Sequence, residues 1–187
     1  MNELLSRLGN IVDIYIGLIV FWFLVTQLPV YRWRLFFAKK GQITSLQEHE
    51  IYSGFITSVC FLMVRFTNDL MTPYLLMFDS GMNSRIKVFY LSGIVINTAL
   101  ITMIFVVHEL RSCLFSKASR ICLYATLLVM SLFFLQLGAR GYVNFHGFNN
   151  AYSLGIWLAI LIAISAMSLY PIRQTLAYFN KEKEAKD

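Results

Sequence analysis

The sequence predicts an all-α integral membrane protein, a compact bundle of five transmembrane helices forming one domain over residues 1–187. Three observations carry that expectation. The first is composition: of 187 residues, 58% are hydrophobic, 16% aromatic and only 14% charged, with mean hydropathy +0.63. Soluble domains carry about 25% charged residues. A soluble core of this size cannot hide so much apolar surface, so the excess faces lipid. The second is a set of continuous apolar runs of spanning length. The third is an uneven division of Lys and Arg among the segments that join them. The same composition excludes a disordered chain, a secreted disulfide scaffold and a soluble nucleic-acid-binding domain.

A spanning helix needs about 20 mainly apolar residues, because the hydrocarbon layer is about 30 Å thick and an α-helix rises about 1.5 Å per residue. The predicted spans are 14–30, 51–78, 88–107, 121–138 and 151–170. The first reads as an uncleaved span: Gln27, Pro29 and a basic cluster follow it where a small-residue cleavage site would stand. The second is interrupted by Arg65 and Asp69, and the count falls to four if it is not fully inserted. The third carries no charged residue and no histidine before His108, and the fourth and fifth carry no charged residue. In lipid each backbone N–H and C=O must be satisfied within its own segment, which makes the runs helices. Continuous runs also exclude the alternating strands of a membrane barrel.

Charge gives the orientation. Arg32, Arg34, Lys39, Lys40, Arg111, Lys117, Arg120, Arg173, Lys181, Lys183 and Lys186 fall on one side of the five spans. Only Arg7, Arg85, Lys87 and Arg140 fall on the other. Positive residues stay cytoplasmic, so the N-terminus is expected outside and the C-terminus inside. The net charge of +6 then reflects topology and anionic headgroups, with no direct nucleic acid expected. The longest cytoplasmic piece, residues 31–50, contains Gly41 and a capping box, Ser45-Leu46-Gln47-Glu48, before the next helix. A charged tail is expected from Pro171 onward.

Arg65 is the most informative residue. It lies within the second span, with Asp69 four residues on and on the same helix face. Charge at that depth costs several kcal/mol (about 3 on insertion scales), so it faces protein or water. It can line a pore or act as an intramembrane switch; a structural Arg–Asp pair and a snorkelling Arg are the alternatives. Asn97, central in the third span, is expected to make an interhelical hydrogen bond, worth about 1 kcal/mol. Gly155, Ala159 and Ala163 form a small-residue stripe for helix packing, within the chain or in a homo-oligomer. Arg32, Arg34, Lys39, Lys40, Arg111, Lys117 and Arg120 are the candidate cytoplasmic docking residues.

Catalytic constellations are missing from the sequence. There is no P-loop, nucleophile elbow, H-E-x-x-H or C-x-x-C, and no span offers a Ser with a His or paired acids. An enzyme is not expected, nor a catalytic residue, metal or cofactor. Cys60, Cys113 and Cys122 read as small apolar filler. His108, beside Glu109, reads as a solvated helix terminus. The aromatic and glycine-rich loop from Ala139 to Asn150 reads as an interfacial belt, or as an outward recognition element.

In size and layout the chain resembles two groups of small bacterial inner-membrane proteins: the membrane subunit of the Kiwa antiphage defence system and the immunity proteins of pore-forming colicins. The resemblance covers architecture and no sequence string, and the fifth span departs from the four spans of both groups. The first group implies an antiphage-defence sensor that couples membrane perturbation to a soluble cytosolic partner. The second implies protection against a pore-forming toxin. An ion channel or small transporter, with Arg65 lining an aqueous path, is the first alternative to the defence sensor, ahead of the immunity protein.

Overall fold

The computed structural model describes residues 2–37, 43, 45–77 and 81–184. Helix α1 covers Asn2–Tyr31, and a single turn, α2, covers Arg34–Phe37. Then follow α3 (Leu46–Met77), α4 (Met82–Arg111), α5 (Lys117–Gln136) and α6 (Asn149–Glu184). The end of α5 passes without a break into a π-helical turn, Leu137–Tyr142. No strand occurs among the described residues.

The long helices run antiparallel to their neighbours in sequence. Along α1 and α3, Tyr31 meets Tyr52 near one end of the pair (ring centroids 5.6 Å apart), while Asp13 meets Arg65 at 2.6 Å further along. The α3–α4 pair is tied by Ser53 and His108, and the α4–α5 pair by Thr98 and Met130. Gln136 reaches Asn149 across the α5–α6 connection. Helices α1 and α6 are parallel: Tyr15 meets Ser168 and Trp22 meets Thr175, the same step along both, and these contacts close the bundle. Helix α3 touches α1, α4, α5 and α6, and so lies at the centre of the bundle.

Among the described residues, four helices are long and apolar enough to cross a membrane: Arg7–Tyr31, Ser84–Arg111, Lys117–Tyr142 and Asn149–Asn180. Only 17–28% of their most apolar stretches is buried inside the protein. Ile11, Leu18 and Val25 on α1 and Leu154, Leu158 and Leu161 on α6 all point outward. That surface suits lipid and not water. Of the five predicted spans, the second does not qualify on composition. The reason is where its polar residues go. Between Ile51 and Cys60 on α3, only Gly54 and Val59 are not buried, so neighbouring helices, and not solvent or lipid, surround Ser53, Thr57 and Ser58.

Helix ends follow local chemistry. The predicted capping box forms: the Ser45 hydroxyl accepts from Glu48 N–H at 3.1 Å, and the Glu48 carboxylate accepts from Ser45 N–H at 3.4 Å. Helix α4 stops where Ser112 turns left-handed (φ 49°), with Cys113 N–H closing on the His108 carbonyl. Ser116 caps α5 through Ser119 N–H. The expectation of a tail beginning at Pro171 is corrected: α6 continues through that proline to Glu184. The ring removes one N–H, leaving the Met167 carbonyl without its helical partner, but the apolar stretch around it keeps the helix going.

Lipid offers helices no hydrophobic reason to associate, so close packing and polar bonds hold the bundle. Towards the end that carries Arg32, Lys117 and Arg173, hereafter the basic end, Phe23 is fully buried and stacks on Tyr170 (5.8 Å, 7°). Gly54 makes room for the Phe23 ring, where a Cβ would lie 3.1 Å away. In the opposite half Phe133 packs edge-on against Tyr90 and Tyr152, directly over Gly93.

Candidate functional site

Two polar layers cross the bundle. The first lies in its basic half. Ser53 and Thr57 come from α3, His108 from α4, and Ser119 from α5; each is at most 1% exposed. The His108 Nδ1 lies 2.8 Å from the Ile104 carbonyl, which can only accept, so Nδ1 carries the proton. Nε2 therefore accepts from the Ser53 hydroxyl at 2.9 Å. The Ser53 oxygen accepts from Ser116 N–H at 2.9 Å and lies 2.7 Å from the Ser119 hydroxyl. Thr57 completes the cluster, 2.6 Å from Ser119. The Phe115 ring lies flat on the imidazole at 4.2 Å.

This arrangement corrects the reading of His108 as a solvated terminus. Helix α4 runs one turn further, to Arg111, and His108 faces α3. It also supplies the Ser–His pair that no single span contains. The geometry is that of a nucleophile and its base. The surroundings are not: Ser53 is 0% exposed, and its oxygen is already occupied by Ser116 and Ser119, so no substrate atom reaches it. The cluster ties three helices together.

The second layer lies in the opposite half. Arg65 Nε donates to Asp13 Oδ1 at 2.6 Å, with both side chains about three-quarters buried. The alternative of a structural pair between Arg65 and Asp69 is thereby corrected. The helix repeat puts Asp69 on the right face, but α1 brings Asp13 closer, and Asp69 stays exposed beside it. Asn97 also departs from expectation: its Nδ2 donates to the Gly93 carbonyl of its own helix at 2.7 Å. Arg65, Asn68, Asn97 and Thr126 line a cavity of about 150 Å³ between α3, α4, α5 and α6. Ala159 and Ala163 form part of its wall.

The small-residue stripe is used within the chain. Ala159 and Ala163 are 1% and 3% exposed, the Ala163 carbonyl faces the Cys122 thiol at 3.4 Å, and Gly155 lies under Leu132. The three cysteines are buried and free. Burial pushes the Cys113 thiol up to about 11, which removes the reactive thiolate at neutral pH.

At the basic end, Arg32, Arg34, Lys117 and Arg120 are exposed, as docking residues must be. Arg111 is different. Its guanidinium turns inward to the carbonyls of Leu35 and Phe36, holding α2 against α4. Lys39 and Lys40 lie outside the described residues. Lys117 and Arg120 open onto a concavity of about 630 Å³ shared with His49, Glu50 and Arg173. At the other end, Tyr142, Val143 and Phe145 are exposed, and Lys87 sits over the Tyr142 ring at 4.3 Å. No group of three or more His, Cys, Asp or Glu side chains suited to a metal occurs among the described residues.

Sequence reasoning missed Asp13 as the partner of Arg65 and missed the Ser53–His108–Ser119 cluster. Both join residues more than 50 positions apart, and only the antiparallel order of the helices could have suggested them. Comparison of the chain with protein-family models, curated proteins and solved structures finds no match.

Proposed function

We propose that the chain is a five-span, non-enzymatic subunit of a bacterial plasma membrane, which changes its helix packing around Arg65 and passes the change to a cytosolic partner. The observation that carries this reading is the cavity of about 150 Å³ beside an ion pair in the interior of the bundle. An intramembrane charge is a functional feature by default. Next to it lies a cavity into which Asn97, Asn68 or the Arg65 side chain can move. A switch needs two packings of similar energy, and a packing defect at a charged contact between helices provides the room.

Antiparallel packing of α3 against both α1 and α4 supports a fifth crossing, with its polar residues inside the bundle. The distribution of Lys and Arg supports a cytoplasmic basic end and C-terminus. Arg32, Arg34, Lys117 and Arg120 are there to meet the partner. A role in antiphage defence rests on the architectural resemblance to the Kiwa membrane subunit. The small-residue stripe is occupied by α5, so self-association, if it forms part of the function, uses another face.

An ion channel is the second reading, favoured by Arg65 at the cavity. Against it stands the tight basic half, where Ile104, His108, Ser53, Thr57 and Ser119 are at most 1% exposed and leave no continuation of the cavity.

The test is isolation of the tagged full chain from its host membrane in mild detergent, with the mass of the intact complex measured. A soluble partner in fixed ratio, retained on the wild type and lost or altered with Arg65→Leu, is expected. A homo-oligomer without such a partner, together with ion flux in liposomes that Arg65→Leu abolishes, would overturn the proposal in favour of the channel.

A further inference from the structure

We infer that the concavity at the basic end is a binding site for the phosphate of an anionic glycerophospholipid. It lies between the start of α3, the α4–α5 turn, the start of α5 and the middle of α6. Lys117, Arg120 and Arg173 supply three cations. Glu50 is the acid at the site, and it is engaged by Arg173 at 3.7 Å. Lys117 and Arg120 make no ion pair among the described residues.

The position of these two cations is itself unfavourable. They occupy the first turn of α5, which contains no acid, and a helix N-terminus already carries partial positive charge. An anion bound there relieves both the cation–cation and the cation–dipole repulsion. The rim of the site is apolar: Leu46 is 82% exposed and Leu114 60% exposed, and both line the same concavity. Charge and apolar surface together match a phosphate that continues into a glycerol ester and acyl chains. The membrane level agrees, because the site sits where α4 leaves its apolar stretch at Arg111 and α5 enters its own at Lys117. This inference depends on membrane insertion of the four apolar helices and not on the switch at Arg65.

The test uses the full chain in a neutral detergent, with lipid binding followed by native mass spectrometry and thermal unfolding. Phosphatidylglycerol, phosphatidylcholine and inorganic phosphate are the three probes. Phosphatidylglycerol is expected to bind and stabilise, and phosphatidylcholine to do so far less. The double variant Lys117→Gln/Arg120→Gln should weaken phosphatidylglycerol binding roughly thirtyfold, since each basic residue near an anionic headgroup contributes about a factor of five. Lys87→Gln, at the opposite end, should leave it unchanged. Equal binding of the two lipids by the wild type would overturn the inference without any variant. So would undiminished phosphatidylglycerol binding by a folded double variant. Stabilisation by inorganic phosphate equal to that by phosphatidylglycerol would also overturn it, making the occupant a soluble phosphate.

Discussion

The two halves of α3 carry polar residues into the bundle in different ways. The first half, Ile51–Cys60, is enclosed by other helices, and its hydroxyls join a network with His108 and Ser119 that spans three helices. The second half carries Arg65, neutralised by one acid from α1, and borders a cavity of about 150 Å³. A saturated hydrogen-bond network fixes one packing, because moving any member orphans the others. A single ion pair beside a cavity fixes much less. The contrast teaches that polarity inside a helix bundle does not by itself mark a moving part; the accompanying packing decides.

The largest expected effect is at the ion pair. Asp13→Ala leaves Arg65 unpaired inside the bundle, which should cost about 3 kcal/mol. The double variant Asp13→Leu/Arg65→Leu should recover most of that loss. Thermal unfolding in detergent measures both, and a double variant as unstable as the single one would show that Arg65 needs no partner. Ser53→Ala comes next, at about 2 kcal/mol, since it orphans His108 Nε2 and Ser116 N–H together. Equal unfolding of Ser53→Ala and wild type would remove the distinction between the halves.

Gly93→Ala should cost about 1–2 kcal/mol, because the new Cβ overlaps the Phe133 ring. Gly155→Ala should cost less: it meets Leu132 Cδ1 at 2.7 Å, the end of a flexible side chain. The reverse order would place the tighter helix contact at α5–α6. Asn97→Leu has the smallest expected effect on stability, within about 1 kcal/mol, since its side chain bonds only its own helix. It replaces the polar group at the cavity wall by an apolar one, however, and should uncouple the Arg65-dependent partner interaction. Retention of that interaction at wild-type strength would show that the space is not used.

Much of the architecture was legible in the sequence. Long apolar runs specify helices wherever water is absent, and Ser45 with Glu48 announced the start of α3 correctly. Helix lengths were harder to read. Hydropathy marks the lipid-facing stretch and not the helix, so α6 runs past Pro171 to Glu184. At the site, Arg65, Asn97, Ala159 and Ala163 were singled out separately, and they surround one cavity. Their partners were not legible, because helical periodicity reports same-face neighbours such as Asp69 and is silent on the adjacent helix that supplies Asp13. His108 misled for the same reason: a histidine after an apolar run reads as an exit to water unless Ser53, 55 positions earlier, is known to face it.

The five-span bundle and the switch at Arg65 both require α3 to cross the bilayer as the polar centre of the bundle. The direct test is thiol labelling of Ser45→Cys and Gly81→Cys, which flank α3, in a chain whose Cys60, Cys113 and Cys122 are replaced by alanine. A membrane-impermeant maleimide applied to intact spheroplasts should label position 81 at once and position 45 only after permeabilisation. Labelling of both positions from the same side would contradict a crossing by α3, and with it the five-span bundle and the switch at Arg65.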